Sequence, residues 1–232
     1  MKKDAFVLVT GGTGFAGSRL LRLLVQEGWR VRALRRASSS MRLVQDIEHQ
    51  VEWAVADVTD IVALEDAFEG ITHVCHGAAM VSFHPRDARR MMQINVEGTA
   101  NVVNLALDFG VKKLIHISSI AAIGRTKNSV QVHEKDLWVP GSQHGNYAIS
   151  KFLGEQEAWR GHFEGVPTAI VNPAVILGDG PWDTGSGRFF KHLYKGMPFC
   201  PIGRTGFVDV RDVARFMVLL LESDIAGERF IL

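Results

Sequence analysis

The stretch that decides the fold stands near the amino terminus and reads Val7-Leu8-Val9-Thr10-Gly11-Gly12-Thr13-Gly14-Phe15-Ala16-Gly17. The short apolar run Phe6–Val9 predicts a buried strand, and the amphipathic run Leu20–Val25 predicts a helix that follows at once. A cluster of glycines separates the two. Strand, glycine turn and helix in this order are typical of a site that binds the phosphates of a dinucleotide.

The glycine spacing is Gly11-x-x-Gly14-x-x-Gly17, and each glycine has a physical task. The first allows a tight turn, the second lets the backbone approach a pyrophosphate, and the third lets the helix pack closely on the strand. A glycine triplet alone also fits a plain structural turn. The strand before it and the helix after it favour the nucleotide site.

Composition limits the class of protein. The chain has 232 residues, of which 47% are hydrophobic, and this is enough for one well-packed core. The net charge of +1 gives no electrostatic reason to expect nucleic acid or a membrane as a partner. Cys75 and Cys200 stand alone and the histidines share no metal-ligand spacing, so we expect no metal and a reducing compartment. With no membrane span and no signal peptide expected, these features predict a cytoplasmic protein with a small-molecule substrate.

Strand-like runs alternate with helical patterns along most of the chain. This alternation predicts an α/β fold, a Rossmann-type doubly wound parallel sheet with helices on both faces. We expect a short helix capped by Ser38–Ser40 and one long helix over Arg86–Phe109. The predicted organisation is a single domain in which 1–175 bind the dinucleotide, the Gly- and Pro-rich 176–206 form a substrate loop, and 207–232 return to the main sheet.

Motifs in a fixed order connect the chain to a known family. They are Thr10-Gly11-Gly12-Thr13-Gly14-Phe15-Ala16-Gly17, Asp57-Val58, His76-Gly77-Ala78-Ala79, Asn95-Val96-Glu97-Gly98-Thr99, Ser118-Ser119, Tyr147-Ala148-Ile149-Ser150-Lys151, Asn172-Pro173-Ala174 and Val208-Asp209-Val210-Arg211-Asp212-Val213-Ala214. In this set the chain resembles the extended short-chain dehydrogenase/reductase family of NAD(P)-dependent epimerases, dehydratases and reductases, including dihydroflavonol-reductase-like enzymes.

The resemblance implies a set of cofactor-binding residues, namely Gly11, Thr13, Gly14, Phe15, Gly17, Asp57, Val58, Ala78, Ala79, Tyr147, Lys151, Pro173 and Val175. It also implies that Asn95 supports the active-site backbone or a proton-relay water, against the plainer interpretation of a polar residue on a helix surface. A homodimer through two long helices is a further expectation. Relatives continue past a strand like Arg229–Leu232, so we expect either a fragment or a protein with a reduced substrate region.

Tyr147 and Lys151 are four residues apart on a predicted helix and therefore share one face. A free tyrosine has a pKa near 10, which is too high for efficient proton exchange at neutral pH, and a nearby lysine cation is expected to lower it. Tyr147 is then the acid/base of an alcohol–carbonyl interconversion, and by resemblance Lys151 also holds the nicotinamide ribose. A serine after strand five would stabilise developing charge. Spacing does not separate Ser118 from Ser119, and the resemblance favours Ser119.

The end of the second strand indicates which cofactor is preferred. NAD enzymes place an acidic residue there for the ribose 2′-hydroxyl, whereas a 2′-phosphate needs cations. No acid occurs between Val31 and Gln45, and Arg35 and Arg36 occupy the site. We therefore expect NADP, with NAD as the second option, although a solvated basic stretch would read similarly.

Two classes of function remain open from the sequence. The first is an NADP-dependent oxidoreductase that uses Ser119, Tyr147 and Lys151, or within the same class an NAD-dependent nucleotide-sugar epimerase or dehydratase. The second is a non-catalytic NAD(P)-binding regulatory protein. The three polar residues favour the enzyme, and the arginine pair favours a reductase.

Overall fold

The computed structural model describes residues 4–124, 131–139, 141, 144–180, 182, 185, 187–196 and 205–232. Its main sheet has seven parallel strands in the order β3-β2-β1-β4-β5-β6-β9. These strands are β1 Phe6–Thr10, β2 Arg30–Arg35, β3 Glu52–Val55, β4 His73–His76, β5 Lys113–Ile117, β6 Thr168–Asn172 and β9 Glu228–Ile231. The short strands β7 Val175–Leu177 and β8 Phe207–Asp209 form a separate parallel pair.

Helices cover both faces of this sheet. They are α1 Phe15–Gln26, α2 Ile61–Phe68, α3 Ala88–Met92, α4 Gly98–Asp108, α5 Asn146–Glu164, α6 Gly187–Tyr194 and α7 Val210–Glu222. One core lies between the sheet and α1 and α7, and another lies between the sheet and α2 and α4, with α5 packed beside α4. The predicted Rossmann-type doubly wound parallel sheet is confirmed. Within the described part of the chain, no helix combines the length and apolarity that a membrane span requires.

Alternation along each strand assigns its side chains to these two cores. In β1, Val7 and Val9 face α1 and α7, whereas Phe6 and Leu8 face α2 and α4. Because both of its faces are covered, β1 reads as a continuous apolar run from Phe6 to Val9. Cys75 lies in the first core, and burial raises the pKa of its thiol, as expected of a packing residue.

The predicted helix after Ser38–Ser40 is wrong. Residues 42–47 form successive turns, in which the amides of Val44 and Ile47 donate to carbonyls three residues earlier, and a 3-10 turn follows at Glu48–Gln50. Val44 and Ile47 are buried in the core that contains α1, and Met41 packs against it. An apolar residue at every third position suits three residues per turn, so this segment follows a 3-10-like course rather than an α-helix.

The single long helix predicted over 86–109 is also wrong. A 3-10 turn at Pro85–Asp87 leads into α3, a π-helical turn follows at Gln93–Glu97, and α4 then begins. The wider turn brings the backbone of Asn95 against Gly154 of α5, where a Cβ atom would overlap the Asn95 carbonyl oxygen. Further along, α6 lies within 176–206, whereas Cys200 lies outside the described residues.

Candidate active site

The order in which strands are added to the sheet reverses at β1, which pairs with β2 on one side and with β4 on the other. In open α/β sheets the ligand crevice lies at the carboxyl ends of the strands at such a point. A pocket of about 410 Å³ lies here. Nine of the predicted cofactor residues line it, namely Gly11, Thr13, Gly14, Arg35, Arg36, Asp57, Val58, Ala78 and Ala79.

The floor of this pocket is the glycine turn between β1 and α1. Gly11 has a φ of +73°, and a Cβ atom there would lie 2.7 Å from the carbonyl carbon of Gly77. A Cβ atom on Gly17 would overlap the Gly11 carbonyl oxygen. Both positions therefore require glycine. At Gly14, the N-cap of α1, no side chain caps the helix, so its first amides are placed to bind an anion.

Phe15 and Gly17 of the predicted turn do not line this pocket, and the side chain of Phe15 points elsewhere. It lines a neighbouring depression with Arg19 and Asp179, and its ring lies under Gly178 and Gly180. A Cβ atom on Gly180 would come within 2.6 Å of the ring. Phe15 therefore acts as packing for the segment after β7 rather than as a wall of the main pocket.

Thr10, the last residue of β1, fixes the backbone on the β4 side of the pocket. Its hydroxyl lies 3.1 Å from the amides of both Gly77 and Ala78, and 2.7 Å from Nδ1 of His76. This buried hydroxyl holds the turn that carries the predicted pair Ala78 and Ala79. The Thr10 side chain therefore orders the backbone at the carboxyl end of the neighbouring strand β4.

Arg35 and Arg36 lie at the end of β2, at the side of the pocket where a cofactor ribose would bind. In the described residues neither has an ion-pair partner, whereas Arg32 of the same strand is paired with Glu52. The Arg36 amide donates to Ser39 Oγ at 3.0 Å, which orders the turn after the strand. Two guanidinium groups without a carboxylate partner form a site suited to phosphate.

Asp57 follows β3 and faces the same pocket. Its Oδ1 accepts from the amide of Thr59 at 3.0 Å and from the Thr59 hydroxyl at 2.8 Å. Next to it, Val58 is buried, and its carbonyl accepts from Asn101 Nδ2 at 2.9 Å. The backbone of this wall is therefore held from the α4 side.

Sequence reasoning missed part of the pocket wall. Met80, Arg90 and Ile94 also line it. Arg90 adds a third cation, but in the sequence it stands among Arg86 and Arg89 in what reads as an ordinary charged helix face. Its place at the pocket depends on the 3-10 and π turns that surround α3, for which the sequence carries no simple signal.

The predicted catalytic residues converge beside β5. Ser119 follows this strand, and Tyr147 and Lys151 lie in the first two turns of α5. Lys151 is buried, and its Nζ donates to the carbonyl of Ile117 at 2.8 Å. Burial lowers the pKa of Lys151 to about 8, although the charge of Glu155 opposes the change.

The expected direction of the Tyr147 pKa is wrong for the protein alone. Burial raises the pKa of Tyr147, and a hydrogen bond with Ser119 offsets only part of that rise. Lys151 does not lower it, because its ammonium group is directed to the Ile117 carbonyl. Tyr147 is therefore held in its protonated form, and its hydroxyl is hydrogen-bonded to Ser119, the serine that the resemblance favoured.

Asn95 is buried in the π turn, which excludes a helix-surface position. Its Oδ1 accepts from the Met80 amide at 2.7 Å, and its Nδ2 donates to the Met80 carbonyl and to Ser150 Oγ, both at 3.0 Å. Asn95 thus ties the segment after β4 to the helix that carries Tyr147.

Pro173 and Val175, expected to meet the nicotinamide, use their main-chain groups within the protein. The Pro173 carbonyl accepts from the Ile120 amide at 3.0 Å, and the Val175 amide donates to the Gly206 carbonyl at 3.1 Å. The first bond holds the backbone next to Ser119, so this segment positions the serine turn.

Comparison with known proteins agrees with this arrangement. The profile of the NAD dependent epimerase/dehydratase family matches residues 7–232. A putative dihydroflavonol 4-reductase of Synechocystis sp. is 34% identical over 99% of this chain and 67% of its own length. Sterol demethylase protein B of Methylococcus capsulatus is 32% identical over 97% of this chain and 68% of its own length.

Solved structures show the same fold. The crystal structure of gox2253 superposes with a TM-score of 0.89 at 37% identity, covering 99% of this chain and 69% of that one. The enzyme WbmG of Bordetella bronchiseptica, solved with NAD, has a TM-score of 0.81 at 27% identity over 98% of this chain and 72% of its own. The chain therefore belongs to the NAD-dependent epimerase/dehydratase family and is an NAD(P)-dependent enzyme of the extended short-chain dehydrogenase/reductase type.

Proposed function

We propose that this enzyme is an NADP-dependent oxidoreductase that transfers a hydride between the nicotinamide and a carbonyl or alcohol substrate. The observation that supports the proposal is the contact of Tyr147 with Ser119, which lies after β5 next to the buried Lys151. Arg35 and Arg36 line the pocket at the same carboxyl edge of the sheet. The 2′-phosphate of the cofactor would bind between the two guanidinium groups, and the pyrophosphate of the cofactor would lie over the glycine turn.

The proposed chemistry assigns one task to each side chain. A bound nicotinamide supplies the hydride. Tyr147 donates its proton to the substrate oxygen, and its raised pKa keeps that proton available at neutral pH. Ser119 donates a hydrogen bond that stabilises the charge developing on the same oxygen. Lys151, with a pKa of about 8, remains largely protonated at pH 7 and holds the nicotinamide ribose.

The surroundings of Tyr147 support a substrate with an apolar or aromatic body. Phe83 is 85% exposed, yet its ring meets the Tyr147 ring edge-on at 5.7 Å between centroids. A phenylalanine exposed beside the reacting hydroxyl suits an apolar carbonyl compound better than a nucleotide sugar. The relatives named as reductases agree with this choice.

The alternative is an NAD-dependent nucleotide-sugar epimerase or dehydratase. It is supported by the likeness to WbmG, which has been solved with NAD and UDP. A non-catalytic NAD(P)-binding protein is the third candidate, but such a protein has no need of the Tyr147–Ser119 contact. Cofactor preference and Tyr147 dependence separate these candidates.

Calorimetric titration with NADPH and NADH tests the proposal directly. We expect NADPH to bind more tightly, and the double change Arg35→Gln/Arg36→Gln to weaken NADPH binding much more than NADH binding. Arg30→Gln is the matched control, because Arg30 lies at the opposite end of β2 and pairs with Glu52 on the surface. Equal losses for both cofactors would contradict the phosphate assignment.

Turnover is tested with a panel of aliphatic and aromatic aldehydes and ketones, followed by the oxidation of NADPH. We expect activity that Tyr147→Phe abolishes while cofactor binding persists. Activity that is insensitive to this substitution would remove Tyr147 from the mechanism. Conversion of a nucleotide sugar with NAD, without net oxidation of cofactor, would support the epimerase alternative.

A further inference from the structure

A buried carboxylate lies one helical turn beyond Lys151. The side chain of Glu155 has an exposed fraction of 0%, and a buried charge is unfavourable unless it is paired and hydrogen-bonded. Its Oε1 accepts from Arg229 at 2.9 Å. Its Oε2 accepts from Ser118 Oγ at 2.5 Å and from Asn172 Nδ2 at 2.7 Å. The carboxylate thus joins α5 to β6, to the end of β5 and to β9.

Arg229 extends this connection to the segment that precedes α5. Its Nε donates to the carbonyl of Glu134 at 2.6 Å and one terminal nitrogen donates to the carbonyl of Asp136 at 2.9 Å, while the other binds Glu155. The Glu134 carboxylate returns to β9 by accepting from the Ile231 amide at 3.1 Å. One guanidinium group therefore fastens segment 131–139 to the edge of the sheet through its fixed fork of donors.

The same carboxylate acts on the proposed reacting groups through two short paths. Asn172, which donates to Glu155, also donates to the carbonyl of Ser119 at 3.0 Å. The charge of Glu155 also favours the protonated form of Lys151 and opposes the effect of burial on that lysine. The contacts of Glu155 thus end at the proposed proton-transfer residues on one side and at the exposed segment 131–139 on the other.

We propose that Glu155 is a positioning residue, which together with Arg229 holds Ser119 and Lys151 in place beside Tyr147 and fastens segment 131–139 to the edge of the sheet. The inference rests on the proposed function only for the statement that these groups react with substrate. A buried ion pair is weak evidence for stability, since well-packed apolar residues often replace such a pair at no loss. The benefit here is geometric, because four separate parts of the chain meet at one carboxylate.

Glu155→Gln tests the proposal, with Glu157→Gln as the matched control. Glu157 lies two residues further along α5 and pairs with Arg160 at 2.8 Å in a partly exposed position. We expect Glu155→Gln to lower kcat at least about tenfold while the dissociation constant of NADPH changes less than about threefold. Glu157→Gln is expected to change neither.

The pH profile separates positioning from a general loss of structure. Without the Glu155 charge, the pKa of Lys151 falls further below its ordinary value. If protonated Lys151 is required, the alkaline limb of the kcat profile moves to lower pH in Glu155→Gln. A structural defect alone would reduce kcat at every pH and leave the limb where it is. An unmoved limb with an unchanged kcat would overturn the proposal.

Hydrogen exchange measured by mass spectrometry gives a readout that needs no turnover. Glu155→Gln is expected to speed exchange in 118–122 and 131–139, and to leave 6–26 unchanged. Arg229→Lys keeps the charge beside Glu155 but lacks the fork, so it should speed exchange in 131–139 only. If Glu155→Gln does not fold, Arg229→Lys still tests the positioning role. If wild-type protein does not oxidise NADPH with the panel of aldehydes and ketones, the proposed function is refuted and the positioning role is not. Exchange alike in wild type and both variants would refute the positioning role.

Discussion

A pair of buried histidines beneath the active site makes stability depend on pH. The rings of His76 and His116 stack with 5.2 Å between centroids, and both side chains are buried. His76 is hydrogen-bonded to Thr10 Oγ1 at 2.7 Å and to Thr99 Oγ1 at 2.9 Å. The two ring nitrogens of His116 have no hydrogen-bond partner among the described residues. The change we consider is His116→Phe, which keeps an aromatic ring against His76.

The magnitude follows from the difference in proton binding between the folded and unfolded chain. Burial, reinforced by the charge of Lys151, lowers the pKa of both rings, to about 3 for His76 and well below the ordinary value for His116. In the unfolded chain each ring takes up a proton below about pH 6.5. The stability that the two neutral rings contribute is therefore present above about pH 6.5. It is lost progressively as the pH falls toward the pKa values of the rings in the folded protein. At pH 5 the loss of stability is about 2 kcal/mol for His76, and His116 adds a loss of the same sign that is at most about as large.

Urea unfolding at pH 7.5 and pH 5.0 measures this difference. Between the two pH values we expect the free energy of unfolding to fall less in His116→Phe than in wild type, by up to about 2 kcal/mol. At pH 7.5 the variant should be at least as stable as wild type, because the substitution removes two buried ring nitrogens that the described residues leave unpaired. His49→Gln, at an exposed position, is the control and should lose as much as wild type. Equal losses in wild type and His116→Phe would refute the reasoning.

Three further substitutions test the turn, the π segment and the core. Gly17→Ala should weaken NADPH binding by at least about tenfold in calorimetry, since its Cβ would lie 2.8 Å from the Gly11 carbonyl carbon. Asn95→Ala should lower the free energy of unfolding by about 1–3 kcal/mol, because the Met80 amide and carbonyl lose their partner. Phe68→Ala should lower it by about 3–5 kcal/mol, since this side chain is fully buried.

Each of these substitutions has a matched control in the chain. Gly145→Ala should leave NADPH binding intact, because a Cβ atom there meets nothing within 4 Å. Asn104→Ala changes an exposed amide on α4 that accepts one surface hydrogen bond from Arg160, and Phe163→Ala removes a side chain that is 82% exposed. Denaturant unfolding of both should match wild type to within about 0.5 kcal/mol. A control that equals its test variant would contradict the corresponding structural argument.

The sequence predicted those features that depend on local pattern. The apolar run before Gly11 and the helical pattern after Gly17 predict the first strand and helix correctly. The strand buries side chains in the cores on both faces of the sheet, and the helix packs its apolar side chains into one of them. Since parallel strands end at one edge, the residues after them meet there. This is why Asp57, Ala78 and Arg35 line the same pocket although they come from three strands.

Features that depend on long-range contact did not follow from the sequence. The partnership of Glu155 with Arg229 joins residues 74 positions apart, and Glu155 alone reads as one more charge on an amphipathic helix. The π turn at Asn95 accompanies a close approach to Gly154, which no periodicity reveals. For Tyr147, spacing placed Lys151 on the same face but gave neither the direction of its ammonium group nor the extent of burial, and these set the sign of the pKa change.

On one face of the sheet, the side chains change from apolar to polar along the strands, so that this face contributes both to the core and to the active site. On the face that packs against α2 and α4, residues two apart go from apolar to polar toward the carboxyl ends: Leu8 to Thr10, Val74 to His76, Leu114 to His116 and Ser118, and Ile170 to Asn172. Buried polar groups need partners, and Thr99 and Glu155 supply several of them. Substitutions at the amino-terminal half of this face should therefore affect stability alone, whereas those at the carboxyl half should change stability and activity together.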